Sequence, residues 1–127
     1  MSGTKLSTAR TFAPALVLAA LVSVHTNSAV ALECPAAQPL SHPGILKETP
    51  AQIAGLENLL SSGDDENRIQ VVVSDLRARY PGVENAEIMN YLMTAYCRVV
   101  TRLSGLDNQG QQARMDSFVS QLSQIIY

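Results

Sequence analysis

The stretch Asn85–Gly105 reads NAEIMNYLMTAYCRVVTRLSG. Stepped at about 100° per residue, it separates cleanly into two faces. With Ile88 as origin, Ala95, Val99, Leu92, Leu103, Tyr96, Met89, Val100 and Met93 share one arc of roughly 160°. Asn90, Thr101, Thr94, Glu87, Arg98, Tyr91 and Arg102 occupy the other side. An apolar arc that wide must touch more than one neighbour. The spacing therefore predicts a central helix over 86–104, with Asn85 as its N-cap and Gly105 closing it. Cys97 projects to the seam between the two faces, within reach of a chain segment lying over the edge of a bundle.

The flanking sequence supplies the other helices. Thr49 and Gln52 form a capping box around Pro50, predicting a first helix over about 50–62 with Ile53, Leu56, Leu59 and Leu60 inward and Gly63 at its end. Asp64 or Asp65 caps a second helix, whose Ile69, Val72, Val73 and Leu76 repeat at i, i+3, i+4 and i+7 until Pro81 stops it. Asp107 opens a last helix with Met115, Phe118, Val119, Leu122, Ile125 and Ile126 in one stripe. VVVSDL is the one segment where a strand competes, and its helical spacing decides against it. The fold class read from this pattern is all-α: a small four-helix bundle-like domain over 50–127.

Upstream, Leu32–Pro50 contains four prolines in nineteen residues, which excludes a continuous helix. Residues 32–49 are expected as an extended proline-rich strap whose Leu40, Ile45 and Leu46 pack on the bundle. Residues 1–31 carry only Lys5 and Arg10 as charges and then an uncharged apolar run from Phe12 to Val24. That run is shorter than the roughly 20 residues of a membrane span, and Ala29 and Ala31 place small residues at a cleavage site. A cleavable signal peptide over 1–31 and a periplasmic, exported protein are the expectation.

Cys34 then stands third in the mature chain. A lipidated cysteine is preceded by a small residue, and Glu33 is a bulky acid, so no lipid anchor is expected. A separation of 63 residues from Cys97 excludes a C-x-x-C redox pair. Two cysteines and His42 do not complete a tetrahedral zinc site. In an exported protein the remaining reading is a disulfide between Cys34 and Cys97.

The mature chain has 127 − 31 = 96 residues, enough for one domain. Removing Lys5 and Arg10 leaves seven Lys and Arg against eleven Asp and Glu, a formal charge of 7 − 11 = −4. The scattered cations argue against nucleic acid or an anionic membrane surface as partner.

The runs RYPGVENAEIMNYLMTAYCRVV and GLDNQGQQARMDSFVSQL resemble a pattern, YPG-x-x-NAEI-x-NYL-x-x-AYC, of small exported proteobacterial proteins with no assigned function. The resemblance implies a bacterial, periplasmic setting and no particular activity.

Candidate site residues are few. Ser41 and His42 are adjacent on an extended segment, so they point apart, and no acid is placed by the sequence to orient the ring; a solvent-facing histidine is the favoured reading. Tyr91, Arg98 and Arg102 on the polar face of the central helix are candidate partner contacts, against the simpler reading of cations complementing a helix C-terminus. Met89 and Met93 with Tyr96 fit a core better than a ligand groove. Asp64, Asp65 and Glu66 lack the ligand spacing and glycine of a calcium loop. No catalytic, metal or cofactor motif stands out. The expectation is a periplasmic interaction protein, chaperone-like or an accessory subunit, acting on a protein partner without catalysis, without cofactor and without a stable membrane anchor. The alternative is a helical module holding a small apolar ligand beside Met89 and Met93.

Overall fold

The computed structural model describes residues 31–63 and 66–127. The expected signal peptide up to residue 30, and the Asp64 or Asp65 cap, lie outside the described residues. Within the described residues four helices follow in order: α1 (Pro50–Ser61), α2 (Glu66–Arg79), α3 (Asn85–Arg102) and α4 (Asn108–Ile126). All regular structure among the described residues is helical, VVVSDL included. None of these helices is long and apolar enough to cross a membrane.

α3 is the centre, packed against both α1 and α4, while α2 lies on α4. The wide apolar arc explains this. Eight of its nine residues are buried, with Leu103 half-buried at the end. Tyr96 of α3 stacks on Phe118 of α4 at 3.9 Å between ring centroids, joining the two longest helices at mid-core. Burying two aromatics this way is among the larger single contributions a domain of this size can make.

The caps follow local chemistry. The Thr49–Gln52 capping box forms as expected, with Pro50 at the first helical position. Asp107 caps α4 by accepting from the Gly110 amide. Arg68 of α2 donates to the Leu59 and Gly63 carbonyls, closing the exposed C-terminal end of α1. The α3 N-cap differs from expectation. Glu84 holds that position and Asn85 is already helical. Asn85 is drawn off by a tertiary demand: its amide donates to the Ile126 carbonyl at 3.1 Å, capping α4 across the bundle. Arg77 donates to the same carbonyl and to the Asn85 side chain. Gly82 and Gly105 take φ of 88° and 87°, the left-handed turns before and after α3.

Cys34 and Cys97 are bonded, with Cα atoms 5.9 Å apart, inside the usual disulfide range. From that bond residues 34–48 run without helix or strand along one side of α3 to its N-terminus and back. Gln38 meets Asn90, which accepts from its N–H at 2.6 Å and donates to its C=O at 2.8 Å, as a neighbouring strand would. Ser41 and His42 reach Glu84 at the helix N-terminus. The chain then turns back, and the Leu46 N–H donates to Glu87 at 2.5 Å. A Cβ on Gly44 would sit 2.8 Å from that Glu87 oxygen, so a larger residue would have to displace the carboxylate that holds Leu46. The Gln38, Ser41, His42 and Leu46 amides are thus paired with side chains of α3 and its N-cap in place of a sheet. Leu32 and Leu46 pack on the core, whereas Leu40 and Ile45, expected to bury, are exposed.

Candidate interaction surface

The residues nominated by the sequence are dispersed by the fold. Tyr91 and Arg98 share a direction on α3 but stand about two turns apart along its axis. Each ends on a different carboxylate. Tyr91 donates to Glu48 of the N-terminal segment, and Arg98 and Arg102 both donate to Glu57 of α1, at 3.4 and 2.8 Å.

Glu57 carried no signal in the sequence, yet it is buried beneath the two guanidiniums. Its place in α1, one position after Leu56 and three before Leu60, was the available clue. The C-terminal turns of α1 and α3 line one cleft here, and each helix end contributes about half a negative charge. Two arginines against one carboxylate leave one positive charge. That excess matches the two helix ends, so little remains to attract an anion.

Ser41 and His42 also resolve structurally. Contrary to the sequence reading, an acid does meet the ring: Glu84 lies 3.0 Å from His42 Nδ1. The His42 side chain is 81% exposed, as expected. The Ser41 hydroxyl donates to Glu84 at 2.7 Å rather than to the imidazole, so it is not set up as a nucleophile. The Ser41 hydroxyl first, and then the Ser41 amide, hold the Glu84 carboxyl down at about 2, with His42 adding to the effect. Glu84 is a clamp on this N-terminal segment.

Met89 and Met93 are core residues packed with Leu92 and Tyr96. The apolar space open to a ligand lies elsewhere. α1 packs on α3 and α2 on α4, and the two make little contact with each other although only residues 62–65 join them. A trough of about 250 Å3 separates them. Leu56 and Leu76 form its floor with Tyr91, and Leu59 and Val72 its sides. Leu59, expected inward, is 39% exposed for this reason. Gly55 leaves the α1 wall bare, since a Cβ there would meet nothing within 4 Å.

One end of the trough is polar. Glu48, its side chain 4% exposed, accepts from Arg79, from Tyr80 at 2.8 Å and from Tyr91 at 3.4 Å. Arg79 also donates to Asp75 at 2.8 Å, and its guanidinium lies 5.4 Å from the Tyr80 ring centroid. The Glu48 and Asp75 hydrogen bonds raise the Arg79 proton affinity, so it stays charged. Burial, with the Glu48 charge beside it, pushes Tyr91 up to about 12. The Glu48 hydrogen bond raises Tyr80. Both phenols are therefore donors throughout the neutral range. Nothing in the trough has the His, Cys and carboxylate grouping of a metal site, and none occurs among the described residues.

Comparisons with protein families, with curated proteins and with solved structures find no match.

Proposed function

We propose that the chain is a small periplasmic interaction protein, non-catalytic, which receives an apolar helical segment of a protein partner in the trough between α1 and α2. The observation that carries this is the separation of two consecutive helices over an apolar floor. Helices joined by so short a link ordinarily pack as antiparallel neighbours. Here each is drawn to a different partner, and between them Leu59 is left exposed and Val72 only partly covered. The disulfide supports an oxidising compartment. A non-catalytic role is supported by the polar groups themselves, since the Ser41, His42, Glu57 and Glu84 clusters are engaged in holding the fold.

A small apolar ligand is the weaker reading. Enclosed ligand pockets run from about 300 to 1,000 Å3 and bury most of their guest. The trough is about 250 Å3 and open along one side, which suits anchor side chains of a helix better.

The test is Gly55→Leu, which fills the trough from a bare wall. Replacing a mid-helix glycine should leave the fold intact or raise its stability by about 0.5–1 kcal/mol. Tagged mature protein and the variant are compared in pull-downs from the native periplasm. Partners retained by the wild type and lost from Gly55→Leu support the reading; identical retention overturns it. Protection of an enzyme from aggregation at low pH then separates the chaperone-like branch, which fails if no ratio protects, from an accessory subunit.

A further inference from the structure

We infer that the segment fitting this trough is a basic amphipathic helix, with apolar anchors at helical spacing beside a Lys or Arg that meets Asp75. This rests on the trough reading above and adds the partner's chemistry. The walls have matched periodicity: Gly55 and Leu59 on α1, and Val72, Leu76 and Arg79 on α2, recur at steps of three and four. The twelve residues of α1 span about 18 Å, or three turns of a docked helix.

Charge selects among such helices. The trough holds two carboxylates, Glu48 and Asp75, and one cation, Arg79. Arg79 is committed to both. An acidic side chain entering here would meet two like charges and a cation already in use. A basic one meets the Asp75 carboxylate, whose side chain is 57% exposed and gives Arg79 one of its oxygens. Specificity thus comes as much from repelling acidic segments as from attracting basic ones. The mature chain's charge of 7 − 11 = −4 steers in the same direction.

The experiment titrates the isotopically labelled, disulfide-intact protein with two synthetic helical peptides. They share apolar residues at i, i+3, i+4 and i+7 and differ only in flanking Lys or Glu. The Lys peptide should shift the Gly55, Leu59, Val72 and Asp75 amides and bind about three- to tenfold more tightly than the Glu peptide at low salt. Asp75→Lys, an exposed change, should erase or reverse that preference; Asp75→Asn, which should halve it, stands in if the lysine variant is unstable. Equal affinity for the two peptides overturns the basic partner while leaving the trough reading in place. Absence of shifts in the trough with either peptide overturns both. Displacement of the Lys peptide by a medium-chain fatty acid at lower concentration overturns the inference in favour of a small apolar ligand.

Discussion

Breaking the Cys34–Cys97 bond perturbs the unfolded chain more than the folded one. The bond closes a loop of 63 residues, and the chain-entropy relation gives about 4 kcal/mol at 25 °C for a loop of that length. In the folded protein the damage is confined to the start of the segment, because Gln38, Ser41, His42 and Leu46 keep their hydrogen bonds to Asn90, Glu84 and Glu87. Against a total stability of about 5–15 kcal/mol, the loss leaves a folded but marginal domain. For a domain of this size it lowers Tm by roughly 15–30 °C. The two cysteines are not equivalent. Cys34 is exposed, so Cys34→Ser should match the reduced wild type. Cys97 is 1% exposed among core side chains, so Cys97→Ser buries a hydroxyl as well and costs about 1–3 kcal/mol more. Thermal melts followed by circular dichroism, with and without reductant, measure all three. Amide exchange in Cys34→Ser should show Ser41 and Leu46 still protected. A reduction-induced shift under about 5 °C would refute the entropic account, and equal melting of the two serine variants would refute the added cost of a buried hydroxyl at Cys97.

Glu84 has a folded-state carboxyl at about 2, below its ordinary 4.5, so its contribution is fully present above 4.5 and is lost as pH falls from there through about 2. Glu84→Gln should remove that acid-range dependence and speed exchange of the Ser41 and His42 amides at about pH 5, read by nuclear magnetic resonance. Phe118→Ala removes the ring stacked on Tyr96 in the core and should cost about 3–5 kcal/mol in urea unfolding. Glu57→Ala unpairs Arg98 and Arg102, but both guanidiniums are largely exposed and can turn to water. Its cost should be about 1 kcal/mol, at the upper end for solvent-exposed ion pairs.

The helices are legible in the sequence where one periodicity governs a long segment. The α3 arc, the Thr49 capping box and the Asp107 cap depend on residues within a turn or two of each other, and the structure places them as read. The pairing of Cys34 with Cys97 followed from having no third cysteine. Periodicity also says that a residue is on an apolar face without saying whether anything covers it. Leu59 and Val72 have the same pattern as Leu60 and Val73, yet the former line an open trough and the latter are buried, because α1 and α2 diverge toward different partners.

Polar residues depended still more on tertiary structure. A carboxylate in a one-dimensional pattern reads as a solvated charge; its value is set by what the folded chain brings within about 3 Å. Asn85 looked like a cap and became a cap for another helix. Glu87 and Asn90 read as a polar face and Glu84 as nothing in particular, yet all three became the acceptors for a segment some forty to fifty positions away in the chain. Glu57 and Glu48 gather cations from α3 and α2 that no local spacing connects to them. Composition and periodicity determined that this chain folds as helices with a disulfide to its N-terminal segment, because those depend on local hydrogen bonds, burial and cysteine count. The trough and its charges were decided only by tertiary packing, because they depend on which two helices fail to meet.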